Sequence, residues 1–150
     1  CISMLNKKLS TTILTMCDID QRTRYRALKE IGIGKLHLRV REIDHKNTAQ
    51  AKKIIKQYGW PSFTLVGKRA SDAFWLIIQH ADDDLKFQKH CLPYLKEAAD
   101  RGEAYLKNVA YLTDRVQVSE IKKQTFGTQF RRVDGKLQPV TIMKAKTVND

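Results

Sequence analysis

An imidazole changes charge near neutral pH, and His80 is the imidazole best placed in this sequence to use that property. It follows the most apolar segment, Ala73 to Ile78, and precedes Asp82, Asp83 and Asp84. Ala73, Leu76, Ile77 and His80 fall on one helical face, so the ring extends an inward-facing row at the end of a buried helix. Oriented by a carboxylate such as Asp82 or Asp114, it is expected to act as a general acid or base. Arg115 and Arg24 supply guanidinium forks suited to an anionic group. Gln79, Gln88, Gln124, Thr128 and Gln129 need partners wherever they are buried, because an unmet donor or acceptor costs about 1 to 3 kcal/mol. They are therefore expected to meet one another. The expected catalytic set is His80, Arg115 and Asp114. The expected substrate-binding set is Arg24, Gln79, Gln88, Gln124, Thr128, Gln129 and Trp60, with Asp20 as an addition. The competing reading is a satisfied polar network that fixes helix register.

A divalent metal is the other chemistry these residues allow, through His80-x-Asp82 with Asp83, Asp84 and His90. An aspartate run just before a helix is more simply a cap with favourable charge, so no metal ligand is assigned and no cofactor is identified. Phosphate-binding glycine loops, the zinc-protease pair H-E-x-x-H and the serine elbow G-x-S-x-G are all missing from the sequence. Cys1, Cys17 and Cys91 form an odd set without a C-x-x-C pair and read as thiols. Cys91 shares a helical face with Leu92, Leu95 and Ala98, which suits packing better than nucleophilic attack.

Gly59-Trp60-Pro61, Gln79-His80, Asp114-Arg115-Val116 and Gly127-Thr128-Gln129 occur in that order, with Asp20-Gln21 and Arg24 upstream. In these motifs the chain resembles an uncharacterised bacterial family, a domain of unknown function with no assigned activity. The resemblance implies that the separate polar motifs belong to one site. In that family a further basic segment follows the end of the present chain, so the resemblance also implies a single domain lacking a short C-terminal piece.

Several elements must position these residues. Leu5, Leu9, Ile13 and Met16 recur at helical spacing and predict a helix over residues 3 to 17, ended by Asp18 or Asp20. A second helix is expected over Gln21 to Ile31, stopped by Gly32 and Gly34. Leu36, Leu38 and Val40 alternate with His37, Arg39 and Arg41, a period of two that permits a short strand. Asn47 is placed to cap a helix that ends at Gly59, and an extended segment is expected from Pro61 to Gly67. Trp60 leaves that helix at a fixed angle and is expected to anchor the core, or to cover a pocket. Helices follow over Ser71 to His80, after Asp84 with Pro93 as an interruption, and over Ala104 to Val118. On the last, Tyr105, Val109, Leu112 and Val116 point inward, while Asp114 and Arg115 lie off the stripe, at a rim. Asp134-Gly135 marks a hairpin between residues 128 to 132 and 137 to 143. The expectation is a mainly α domain of five or six helices with a small C-terminal β-hairpin.

The chain has 150 residues, 42% hydrophobic and 29% charged, the make-up of a soluble globular domain. Lys plus Arg number 28 against 16 acids, for a formal charge of +12. Residues 22 to 53 hold ten basic residues against Glu30, Glu42 and Asp44, a surplus of seven, with Tyr25 their only aromatic. An acidic partner is implied, either an anionic small molecule or an acidic macromolecular surface. The lack of interleaved aromatics argues against single-stranded nucleic acid. No run approaches the roughly 18 apolar residues of a membrane span. A cytoplasmic location is the expectation and secretion the alternative. The functional expectation is a small enzyme acting on an anionic, phosphate-bearing molecule; the alternative is a basic binding module for a protein or nucleic acid.

Overall fold

In the computed structural model, residues 4–29 and 34–144 are described. Six helices are followed by a two-stranded antiparallel ribbon: α1 (Lys7–Lys29), α2 (Gly34–Tyr58), α3 (Phe63–Val66), α4 (Lys68–Gln79), α5 (Leu85–Asp100), α6 (Leu106–Ile121), β1 (Phe130–Val133) and β2 (Lys136–Pro139). The mainly α expectation holds.

α4 is the hub. Its apolar residues cover most of its circumference, and a helix of that kind is stable only when surrounded. It packs against α1, α2, α3, α5 and α6, while α1 pairs with α2 and α5 with α6. Ile13 of α1, Phe74 and Ile78 of α4, Leu95 of α5 and Leu112 of α6 are fully enclosed in this core. Trp60 joins them, its ring edge-on to Phe74 with centroids 5.2 Å apart. Gly59 ends α2 at a φ of 70°, a left-handed conformation that glycine adopts without strain.

The helical stretches are longer than their local signals suggest. Residues 7 to 29 form one helix where two are expected, because Asp18 and Asp20 pair forward with Arg22 and Arg24 one turn on instead of capping a new helix. The expected stop at Gly32 lies outside the described residues. The alternating stretch from His37 to Arg41 is helical, not a strand. Ile43, Asn47, Ala51, Ile54 and Ile55 continue a period of 3.6 through it, and that longer stripe prevails over a local period of two. Asn47 therefore lies inside α2, buried, and caps nothing. The segment expected to be extended contains α3, capped by the Ser62 hydroxyl, which accepts from the Leu65 amide at 3.2 Å.

Other boundaries follow the sequence closely. Asp84 caps α5 by accepting from the Phe87 amide at 3.0 Å, and α5 runs on through Pro93. Asp134 and Gly135, with φ of 50° and 76°, form the two-residue loop between Val133 and its partner Lys136. Two positive φ values match the twist of a tight hairpin.

Candidate functional site

Two polar networks meet at the turn that follows α4. Backbone geometry sets the meeting point: His80 closes α4, its amide donating to the Leu76 carbonyl at 3.1 Å, and Asp82 follows two residues later. His80 faces α1 and α2, whereas Asp82 faces α6.

In the first network, His80 Nδ1 lies 3.0 and 3.1 Å from the two carboxylate oxygens of Asp20, a residue only 2% exposed on α1. Arg24, one turn along α1, places Nε 3.1 Å from Asp20 Oδ1 and 3.0 Å from His80 Nδ1, and its Nη2 pairs with Asp44 of α2. Gln21 Nε2 also donates to Asp20, at 2.8 Å. We assign the imidazole proton to Nδ1, since a bare nitrogen would set its lone pair against both Asp20 oxygens; the Arg24 Nε–H, which also reaches Nδ1, is then accepted by Asp20 Oδ1 alone. Nε2 is then the basic nitrogen, and it has no hydrogen-bond partner among the described residues. Burial pushes the Asp20 carboxyl up, but the bonds from His80 and Gln21 together with the Arg24 charge bring it below the usual range. For Asp44 burial outweighs Arg24, and its carboxyl is raised.

His80 lines a cleft of about 270 Å³ between α2 and the turn, with Asp44, Lys52, Asp83 and Asp84 around it. His45 Nε2 lies 2.8 Å from Asp83, and Lys52 pairs with Asp84 at 2.6 Å.

The second network holds the C-terminal segment. Arg115 grips Asp82 with two bonds, Nε to Oδ1 at 2.8 Å and Nη2 to Oδ2 at 2.6 Å, and these outweigh burial to lower the Asp82 carboxyl. Gln88, fully buried on α5, donates through Nε2 to the carbonyls of Ile78 and Gln79 and to Asp82, tying off the end of α4. Asp114, 0% exposed, accepts four bonds of 2.8 to 2.9 Å from the amides of Thr125, Phe126 and Thr128 and from the Thr128 hydroxyl. Burial raises this carboxyl, and the four donors prevail and lower it. Gln124 donates to the carbonyls of Gln129 and Val140 and accepts from the Gln129 amide, joining this loop to the ribbon.

The expected residues thus fall into two groups. His80 and Arg24 come together with Asp20. Arg115, Gln88, Asp114, Gln124, Thr128 and Gln129 gather around α6, with Gln129 Oε1 at 3.5 Å from Arg115 Nη1. The carboxylate that orients His80 is Asp20 rather than Asp82 or Asp114, because those two are taken up by Arg115 and by the 125–128 amides. Asp114 is enclosed rather than at a rim, as the loop folds over its off-stripe face of α6. Gln79 is buried with Oε1 unpartnered, and Trp60 is packed in the core with Nε1 unpartnered, among the described residues; neither lines the cleft.

Asp44 escaped sequence reading. Its role depends on α2 packing beside α1 and α4, and no local spacing signals that. Asp20, Asp44 and His80 offer donor atoms within 4.8 Å of one another, a set of two carboxylates and one imidazole able to hold a divalent cation. The Arg24 guanidinium already supplies positive charge to both carboxylates, and a metal would have to displace it. The aspartates weighed for a metal in the sequence are otherwise engaged: Asp82 by Arg115, Asp83 by His45, and Asp84 by the α5 amide and Lys52. The buried thiol of Cys91 is pushed up to about 12, which removes it as a nucleophile. No helix among the described residues is long and apolar enough to cross a membrane.

No curated protein and no solved structure matches this chain. A family does match, over residues 7–149, a span that takes in both networks. The chain belongs to the family of unknown function DUF6624.

Proposed function

We propose that the protein is a small enzyme in which His80 carries protons in a reaction on an anionic, phosphate-bearing molecule. The observation that supports this reading is the contact of His80 Nδ1 with both oxygens of the buried Asp20, while the same ring lines an open cleft. A carboxylate behind Nδ1 fixes the tautomer, stabilises the imidazolium and leaves Nε2 to take a proton from the attacking group or give one to the leaving group. Asp20 acts as a positioning residue. Arg24 bridges Asp20 and Asp44 and offsets part of the repulsion between their carboxylates. Arg115 stays paired with Asp82 in the second network, and Lys52 is the cation that lines the cleft beside His80.

The experiment is a turnover screen of the purified chain on p-nitrophenyl phosphate, bis(p-nitrophenyl) phosphate and p-nitrophenyl acetate. Turnover of a phosphate ester that falls at least about a hundredfold in Asp20→Asn, with the fold intact, is expected, in line with the loss of an oriented acid or base. Undiminished turnover in that variant would refute the dyad.

A second reading, a basic binding module, draws on the exposed Arg22, Arg26, Lys29, Arg39, Arg41 and Lys46 of α1 and α2. It predicts adhesion to heparin that weakens steeply between low and physiological salt. Salt-insensitive binding would count against it.

A further inference from the structure

Away from the His80 cleft, α1 and α2 enclose a larger groove of about 660 Å³, within the range of small-molecule sites. From α1 it is lined by Thr11, Thr12, Thr15, Met16 and Ile19, and from α2 by a row that includes Arg39, Ile43, Lys46 and Asn47. Each set lies on one helical face. None of these residues lines the cleft beside His80.

We propose that this groove binds an amphiphilic anion, a carboxylate or phosphate monoester carrying a short apolar body. Three observations converge. Met16, Ile19 and Ile43 give the groove an apolar wall, and Ile19 remains 48% exposed among the described residues. Arg39 and Lys46 stand on the same row two turns apart, and neither has a salt-bridge partner among the described residues; Glu42 between them leaves two cations against one carboxylate. Asn47 is 8% exposed and its Nδ2 has no hydrogen-bond partner among the described residues, a buried donor that an oxygen of the ligand would satisfy. The hydroxyls of Thr11 and Thr15 make no hydrogen bond with a described residue and offer further donors to the same oxygens.

The ligand class follows from this mixture. A bare inorganic ion would leave the apolar wall wet, and a neutral hydrocarbon would leave the Asn47 donor and the two cations unanswered.

Amide chemical-shift mapping on the full chain tests the proposal, with octanoate and phenyl phosphate as probes and octanol as the uncharged control. Saturable shifts confined to residues 11–19 and 39–50 are expected with at least one anion, and the anion that binds tells carboxylate from phosphate. Arg39→Glu with Lys46→Glu should weaken that binding at least about tenfold, and His80→Gln should leave it unchanged. Because the variants and both mapped stretches are read by the same spectra, loss of fold would be seen directly; Arg39→Gln with Lys46→Gln is the milder pair if the reversed charges unfold α2. The proposal is overturned if octanol shifts the same amides as strongly, if the charge-reversed protein binds equally well, or if neither anion moves residues of the two rows.

Discussion

The two halves of the polar system differ in how completely their groups are satisfied. Around α6, Asp114 accepts four bonds and Gln124 makes three through its side chain, all to the loop and ribbon that follow. Around the end of α4, His80 and Arg24 crowd one Asp20 carboxylate, and the imidazole keeps Nε2 without a protein partner beside a cleft. The bonds of Asp114 and Gln124 go to loop and ribbon and hold backbone in place, although Gln88 Oε1 in the same half is buried with no partner among the described residues. The crowded one retains an imidazole nitrogen with room in front of it. Under the proposed function, similar residue types serve shape in one half and reactivity in the other.

The largest effect expected on breaking this contrast comes from Asp114→Ala. It leaves three amides and a hydroxyl without their shared acceptor, removes the buried carboxylate that ties the loop to α6, and should lower unfolding free energy by about 3 kcal/mol in urea titrations. A change below about 1 kcal/mol would show that the α6 network is not structural. Gln124→Ala should cost somewhat less, about 2 kcal/mol, and should speed amide exchange in the ribbon before the rest of the fold, because Gln124 bridges the Gln129 and Val140 carbonyls. Uniform exchange across the chain would contradict that local role.

Acid sharpens the same comparison. Asp114 titrates below its ordinary value of 3.8 in the folded chain, so the folded state binds fewer protons than the unfolded one there. Its contribution is fully present above pH 3.8 and is lost as the pH falls through the lower folded value. Melting temperature should therefore fall less steeply over that window in Asp114→Asn than in the parent. Equal slopes would remove Asp114 from the acid response. The smallest effect belongs to Asp83→Asn, since Asp83 is half exposed and its contacts with His45 and Arg41 are open to water. Its melting temperature should match the parent within error, and a clear drop would mean that the cleft's outer pairs hold α2 to the turn.

Much of this arrangement was legible in the sequence, and the remainder had physical reasons to stay hidden. The apolar row of α4 announced a central helix with His80 at its end, Asp84 announced a cap, and Asp134-Gly135 announced the ribbon. These signals are local. The length of α1 was hidden because Asp18 and Asp20 resemble caps until their arginine partners one turn later are counted. Asp44 was hidden because only the packing of α2 beside α1 and α4 gives it a partner. The burial of Asp114 was hidden because a helical wheel describes one helix, and the group that encloses Asp114 is a loop eleven to fourteen residues downstream.

The central claim is that His80 serves chemistry while the α6 network serves shape, and His80→Gln tests it most directly. Glutamine can donate one hydrogen bond to Asp20 but cannot carry a proton at neutral pH. The variant's melting temperature should stay within error of the parent while turnover of the best phosphate ester falls at least about a hundredfold. A lowered melting temperature with turnover per folded molecule unchanged would contradict that claim and would place His80 with Asp114 among the groups that only hold the fold.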